Sequence, residues 1–249
     1  EKQMCWMKAT LHGAGVHGSL PVRNGAMAKL AFMLANINKH RLPVHITPVA
    51  QLMLSSMASA MEGASKLVFG QLLNPALTNS LLNLLGERGK TMDPLLHNTV
   101  SPTVLHGSHK VNVIPSEVSV ELDGRLLPGF QPEDMIKELR QIIGNDLELE
   151  VMRHDPGPAE PDMGLFNTLS GIMREADPEG VPIPLLLSGV TDGRFFSRLG
   201  IQTYGFLPMQ LPEDFNFTQT LHAADERIPA KAVEFGANSI YQLLERFGI

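Results

Sequence analysis

Apolar and polar residues alternate along the first 155 residues in a pattern that predicts a small sheet covered by helices. The alternation predicts strands at residues 3–11, 97–107, 117–122 and 147–151, and helical spacing predicts helices at residues 24–39 and 131–143. In chain order these elements read β-α-β-β-α-β. That order is the split βαβ arrangement of ferredoxin-like domains, so we predict an α/β domain here.

Residues 45–97 interrupt this order with an apolar, methionine-rich stretch of helical character. We interpret the stretch as helices inserted into the small domain. Two hypotheses fit such an insertion. It adds core or an oligomer surface, or it forms an apolar wall for the acyl chain of a substrate.

A second region follows a stretch rich in proline, Arg153 to Asp162, which predicts a domain boundary. We therefore assign residues 1–157 and 158–249 to two domains. The pattern after the boundary predicts helices at 164–176, 188–199 and 229–247 and strands at 183–187 and 201–206. Alternation of strands and helices predicts a mainly parallel sheet.

The amino-acid composition is typical of a globular protein and argues against a nucleic-acid partner, a membrane span and an internal disulfide. The chain has 249 residues, 43% of them hydrophobic and 18% charged, as in an ordinary globular protein. The net charge is -6 and the 20 basic residues form no run, so we expect no nucleic-acid partner. No apolar run reaches the length of about 18 residues that a membrane span needs, and the single cysteine, Cys5, excludes an internal disulfide.

The loop between Leu187 and Phe196 is a candidate binding loop. It follows a predicted buried strand, contains two glycines and leads into a helix. Ligands in open α/β sheets bind at such strand ends, and free amides at a helix start attract anions. Gly189 and Thr191 are therefore candidates to hold a carboxylate or carbonyl, although helix capping by Thr191 explains the same residues. Because no glycine lies two residues before Ser188, the loop is not a serine-hydrolase elbow.

Three further side chains are candidate site residues, although the sequence pattern around them also fits a purely structural role. Arg125 offers a planar fork that matches a carboxylate, but an arginine at a strand end is commonly a surface ion-pair partner. His17 lies between glycines and is typical of a turn. His222 is a metal-ligand candidate, whereas a hydrolytic zinc centre needs about three protein ligands.

Four segments together, in order and spacing, resemble the zinc metallopeptidase family of aminoacylase, carboxypeptidase G, succinyl-diaminopimelate desuccinylase and acetylornithine deacetylase. They are His17–Pro21, Ser101–Gly129, Gly189–Phe195 and Leu221–Pro229. The insertion and the sequence motif Asn112-Val-Ile-Pro115 are most similar to the branch of carboxypeptidase S-like proteins and N-acyl-amino-acid hydrolases.

The resemblance implies a lid domain with a helical insertion, followed by the C-terminal part of an α/β catalytic domain that binds two zinc ions. It implies that lids pair into a homodimer. His222 matches the family's C-terminal zinc ligand, and His17 matches the lid histidine that stabilises an oxyanion, often in the partner subunit. The remaining matches concern the substrate carbonyl, its carboxylate and the pocket wall, and they are Asn112, Arg125, Gly189, Thr191 and Arg194.

The family's other metal ligands and its general base would precede Glu1, so we expect this chain to be a fragment that is inactive alone. The function implied is metal-dependent hydrolysis of peptide or N-acyl-amino-acid amide bonds with a free carboxylate beside the amide. The alternative is a non-catalytic dimerisation or binding module. The sequence leaves the compartment open, with a slight preference for the cytoplasm.

Overall fold

The computed structural model describes residues 1–158 and 160–247, so Ala159 in the predicted linker and the last two residues lie outside it. Contacts divide the described chain into two units. The first comprises residues 1–161 and 185–201, and the second comprises residues 162–184 and 202–249. The segment 185–201, which we assigned to the second domain, thus clusters with the first unit, and the domain boundary at 157/158 stays a prediction.

The first unit contains a four-stranded antiparallel sheet, a second sheet of two short strands and six longer helices, with one short helix near its end. The strands are β1 (Gln3–His12), β2 (Val16–His17), β3 (Thr99–His106), β4 (Val113–Ile114), β5 (Glu117–Leu126) and β6 (Glu148–Asp155). The helices are α1 (Ala26–Lys39), α2 (Pro48–Ser59), α3 (Gly63–Gln71), α4 (Pro75–Leu84), α5 (Glu87–Leu96), α6 (Pro132–Ile143) and α8 (Gly193–Arg198). The second unit contains α7 (Phe166–Ala176), α9 (Phe217–Thr220) and α10 (Ala230–Arg246).

The main sheet has the strand order β3-β5-β1-β6, and every neighbouring pair is antiparallel. This is the predicted split βαβ order. Alternate residues of β1 and β5, including Met7, Leu11 and Leu122, point to one face and are fully buried there. Helices α1 and α6 cover that face with Leu30, Met33, Met135, Leu139 and Ile143. Local sequence supports α6, because the Asp134 carboxylate accepts a hydrogen bond from the Gln131 N–H and Gly144 ends the helix with a positive φ.

The insertion is helical, as predicted, and forms α2 to α5. Two of its helices begin alike, with a capping side chain followed by proline: Thr47-Pro48 and Asn74-Pro75. Its own apolar core includes Met53, Leu54, Leu72 and Leu82, and its two ends meet where Val44 bridges His97. Leucines that remain exposed are Leu67, Leu77 and Leu84. The oligomer-surface and acyl-chain interpretations both stay predictions.

Two predicted strands do not form. Residues 183–187 and 201–206 have no strand conformation, and within 183–187 only Leu186 is buried. A strand needs a neighbouring backbone to complete its hydrogen bonds. None of the described residues supplies a neighbouring strand for either segment, so the predicted parallel sheet is absent from the described part of the chain. The second unit consists instead of α7 packed on α10, with α9 and loops.

No helix within the described ranges is long and apolar enough to cross a bilayer.

Candidate functional site

The two-stranded sheet of β2 and β4 brings two predicted site residues together. In β2, His17 pairs with Val113 of β4, and the Gly18 N–H donates to the Asn112 carbonyl at 2.8 Å. A Cβ on Gly18 would lie only 3.3 Å from that carbonyl, so glycine permits the close approach. His17 and Asn112, which are 95 residues apart in sequence, are therefore neighbours.

The contacts of the His17 ring define which nitrogen carries its proton. The Ser19 backbone N–H donates to His17 Nδ1 at 3.2 Å, and the Ser19 hydroxyl lies 2.8 Å from the same atom. Because a backbone N–H can only donate, Nδ1 accepts, and the proton of the neutral ring lies on Nε2. The His17 side chain is exposed, so the Nε2–H group is a free donor suited to an oxyanion.

An open cleft of about 560 Å³ borders His17. Its walls come from β2, β4 and the residues that flank these strands, including Gly15, Gly107, Ser108 and Pro115.

Arg125 lies far from this two-stranded sheet. It is near the opposite end of β5, eight residues beyond Glu117, which corresponds to about 27 Å of strand. Its Nε and Nη2 atoms donate to the two carboxylate oxygens of Asp123 at 2.7 and 2.9 Å. Arg125 therefore forms an ion pair at the end of a strand, as the structural alternative predicted, and it uses one edge of its guanidinium for this contact.

The Thr191 loop offers two donors to a single oxygen. Both the backbone N–H and the hydroxyl of Thr191 donate to Glu1 Oε2, each at 2.7 Å. Thr191 Oγ1 also accepts from the Gly193 N–H at 3.1 Å, a local turn contact just before α8, whose N-cap residue is Asp192. The space beside Gly189 is open. Thr191 thus contacts the first residue of α8 and a carboxylate at the same time.

Arg194 makes contacts within the protein. Its Nη1 donates to the Thr191 carbonyl at 2.8 Å, its Nε lies 3.5 Å from Asp155 Oδ2, and its guanidinium stacks 4.2 Å from the Phe195 ring centroid. Its role in lining a substrate pocket stays a prediction.

Asp155, at the end of β6, is a buried carboxylate that sequence reasoning missed. Arg198 Nη2 donates to it at 2.6 Å, and Arg153 Nη2 lies 2.8 Å from its other oxygen. Burial alone would raise the pKa of the Asp155 carboxyl, but hydrogen bonds from Arg198 and Arg153 outweigh burial and hold that pKa below its usual value. The only signal in sequence was its position between Arg153 and the prolines.

Lys2 is a second missed residue, beside Arg125. Its side chain is buried, and its Nζ donates to the His97 carbonyl at 2.8 Å and to the Thr99 hydroxyl at 2.9 Å. Burial, helped by the nearby charge of Arg125, lowers the pKa of the Lys2 ammonium group to about 7, although Asp93 acts in the opposite direction. A lysine just before the predicted strand at residues 3–11 gave no sequence signal for burial.

His222 lies in the second unit, in an exposed turn before α10. Its φ of 56° is in the left-handed region, which residues other than glycine seldom adopt. Such backbone strain clusters at functional sites. No group of three or more His, Cys, Asp or Glu side chains within residues 1–158 and 160–247 is arranged to hold a metal ion. The described residues therefore do not form a complete zinc centre, and His222 as a ligand stays a prediction.

Comparison with known proteins identifies the family. The family model of the peptidase dimerisation domain of M20 peptidases matches residues 1–150, which is more than half of the chain. The chain belongs to the M20 peptidase family. The predicted resemblance is thereby confirmed, and the matched range covers β1 to β5, the insertion and the start of β6.

Two relatives illustrate the extent of similarity. Human "N-fatty-acyl-amino acid synthase/hydrolase PM20D1" is 25% identical over 92% of this chain and 46% of its own length. "Probable carboxypeptidase S-like 2" of Dictyostelium discoideum is 24% identical over 98% of this chain and 47% of its own length. The chain spans about half the length of the relatives it matches.

Solved structures confirm the fold. The di-peptidase Dug1p from Saccharomyces cerevisiae superposes with a TM-score of 0.58 at 15% identity, over 98% of this chain and 54% of that one. An amidase of the hydantoinase/carbamoylase family from Burkholderia multivorans gives 0.51 at 15% identity, over 98% and 48%. The predicted fold class, an α/β lid followed by part of an M20 catalytic domain, agrees with these neighbours.

Proposed function

We propose that this chain is part of a metal-dependent M20 hydrolase that cleaves the amide bond of peptides or N-acyl amino acids with a free carboxylate beside that bond. The observation that carries the proposal is the Thr191 loop. Two donors of Thr191 converge on one carboxylate oxygen, that of Glu1, in the same unit as Arg125. A loop with this geometry is suited to a substrate carboxylate or carbonyl.

Arg125 is the proposed partner of the substrate carboxylate. Its contacts with Asp123 use Nε and Nη2. Arginine has a second edge, formed by its two Nη atoms, so the guanidinium can accept another carboxylate without releasing Asp123. The nearby Lys2 ammonium group adds positive charge whenever it is protonated.

His17 and Asn112 are proposed to act in a different copy of the site. About 27 Å of strand separates their two-stranded sheet from Arg125, so one chain does not bring all these groups around one substrate. A homodimer formed through the lid would let His17 of one subunit supply its Nε2–H donor to the other subunit's site. The family's dimerisation domain supports this arrangement.

Zinc is the proposed cofactor of the complete protein. When bound, it would activate water for attack on the amide. Among the described residues only His222 is proposed as a ligand, and the others would come from outside them.

The test is an assay of the full-length gene product, with zinc supplied, on a panel of N-acyl amino acids, dipeptides and their carboxamide analogues. We expect hydrolysis of the free acids. Arg125→Ala should weaken transition-state binding of the acids by about 2–4 kcal/mol, which lowers their kcat/KM about 30- to 1,000-fold. Arg88→Ala, on an exposed face of α5, is the matched control and should leave kcat/KM unchanged.

Unchanged kcat/KM in Arg125→Ala would reject the carboxylate role of that residue. For the metal, His222→Ala should lower the zinc content measured by elemental analysis, whereas His40→Ala should not. Full zinc occupancy in His222→Ala would remove His222 from the ligand set.

The alternative is a non-catalytic dimerisation or binding module. The family match supports it, because that match covers the dimerisation domain. A full-length product that dimerises but binds no zinc and hydrolyses none of the panel would favour this alternative over the hydrolase.

A further inference from the structure

The segment that carries Gly189 and Thr191 is held by little apolar burial. All residues from 185 to 201 are described, and Leu186 is the one hydrophobic side chain among them that is buried. Helix α8 buries none of its residues, and Leu185 and Leu199 are each more than 70% exposed. Something other than hydrophobic packing must therefore fix this segment.

Polar contacts to the sheet take that role. At one end the Lys2 N–H donates to the Leu187 carbonyl at 2.9 Å. At the other end Arg198 Nη2 donates to Asp155 Oδ1 of β6 at 2.6 Å, and Arg194 Nε faces Asp155 Oδ2 at 3.5 Å as an ion pair without a hydrogen bond. Arg153, from the same strand as Asp155, adds a third guanidinium at 2.8 Å. The strand thus presents one carboxylate that is hydrogen-bonded to one arginine of α8 and ion-paired with another.

The burial of Asp155 makes the loss of one of its charged partners costly. Only 6% of the residue is exposed, and a buried carboxylate is stable only while its charged partners are in place. Loss of the carboxylate charge would leave three neighbouring guanidinium groups without their counter-ion. Because two of them come from α8, the segment would lose its main connection to β6.

The connection continues from Asp155 to the donors of Thr191. Arg194, while facing Asp155, donates from Nη1 to the Thr191 carbonyl at 2.8 Å. That bond fixes the peptide unit on one side of Thr191, whose own N–H and hydroxyl face the Glu1 carboxylate oxygen. The chain of contacts is therefore Asp155, Arg194, Thr191 and the bound oxygen.

We propose that Asp155 is a positioning residue, which acts through Arg194 to hold the N–H and hydroxyl of Thr191 in the geometry that binds a substrate oxygen. Asp155 does not touch the substrate. The inference rests on the proposed function for its kinetic consequence, but its structural core, the fixing of the loop by Asp155, is independent of the reaction catalysed.

The first test is hydrogen exchange followed by mass spectrometry on the full-length gene product. Asp155→Asn preserves the shape of the side chain and removes its charge. Peptides that cover residues 187–194 should exchange at least about tenfold faster, while peptides from β1 and β5 stay protected. Asp146→Asn, which removes an exposed carboxylate paired with Lys29, is the matched control and should change neither region. Unaltered exchange at 187–194 in Asp155→Asn would overturn the proposal.

The second test is kinetic. In Asp155→Asn we expect KM to rise about tenfold with kcat changed less than about threefold, because the loop binds the substrate rather than performing the chemistry. Arg194→Gln keeps the Asp155–Arg198 pair and should give the same KM effect, and the double variant should be no worse than either single variant. Effects of the two substitutions on KM that add in the double variant would contradict positioning through Arg194. A tenfold fall in kcat with unchanged KM would contradict it as well.

Arg194→Gln also covers the case in which Asp155→Asn fails to fold, since it leaves the buried carboxylate paired. A full-length protein that hydrolyses nothing would reject the proposed function, while the exchange experiment would still decide the role of Asp155.

Discussion

The sheet of the first unit and the helix pair of the second unit differ in how far their apolar side chains are exposed to solvent. In the sheet, Met7, Leu122 and Leu126 are at most 1% exposed beneath α1 and α6. In α10, a 17-residue helix, only Ala232 and Ser239 are buried, while Val233, Ile240 and Leu244 are 58%, 42% and 68% exposed. The lid therefore contains the partners of its own apolar face, whereas the described residues do not cover the apolar stripe of α10.

Truncation of one leucine in each region should give the largest difference in unfolding free energy between the two. Leu122→Ala in β5 should cost about 3–4 kcal/mol of unfolding free energy, because it leaves a cavity in a closed core. Leu244→Ala should change it by less than about 0.5 kcal/mol if the stripe stays exposed. Chemical denaturation of the full-length gene product gives both values. A cost for Leu244→Ala equal to that of Leu122→Ala would show that another part of the protein covers α10.

Two glycines provide a smaller contrast. A Cβ on Gly124 of β5 would lie 2.2 Å from the Cys5 carbonyl oxygen in the neighbouring strand, so Gly124→Ala should destabilise by about 2–3 kcal/mol. Gly171 lies within α7, and nothing is within 4 Å of the position of its Cβ. Gly171→Ala should stabilise by about 0.5–1 kcal/mol. Thermal unfolding of the two variants measures the effects, and a loss of stability in Gly171→Ala would mean that α7 is packed more closely than described.

The smallest effect concerns the pH dependence of the lid. The pKa of Lys2 is about 7 in the folded state and 10.5 in its ordinary state, so between these values the unfolded chain binds more protons. Stability should therefore rise with pH in this window, by about 1 kcal/mol per pH unit at most. Below pH 7 both states are protonated and the penalty for burying the charge is fully present.

Denaturation should be measured between pH 7 and 9, because burial raises the pKa of the Cys5 thiol to about 11 and its contribution has the opposite sign above pH 9. Lys2→Met should flatten the rise relative to the natural protein, whereas Lys8→Met should leave it. An identical slope in Lys2→Met would mean that Lys2 stays charged when buried.

The lid was predictable because its signals are local. The alternation of Val118, Val120 and Leu122, the helical spacing around Leu30 and the Pro132 and Gly144 boundaries of α6 each describe their own element. Ser101–Gly129 and the other quoted segments then added the family, which their spacing resembles. The same reasoning failed at residues 183–187 and 201–206, because an apolar run indicates a capacity for burial but a strand also needs a partner backbone.

The site was only partly predictable, for a related reason. His17, Asn112 and Thr191 were each candidates from the sequence, but the pairing of β2 with β4 that makes His17 and Asn112 neighbours was not predicted. Asp155 and Lys2 were missed because their partners lie far away in sequence, 43 residues from Asp155 to Arg198 and 95 from Lys2 to His97. No periodicity encodes such contacts.

The bridge between Val44 and His97 has a consequence for the history of the lid. The His45 N–H also donates to the Leu96 carbonyl at 2.8 Å, so more than fifty residues leave and return to the domain at adjacent points. A short turn across that gap would rejoin α1 to β3 without moving the register of any strand. Evolution can therefore lengthen, shorten or exchange these helices as a cassette while the sheet beneath keeps its shape.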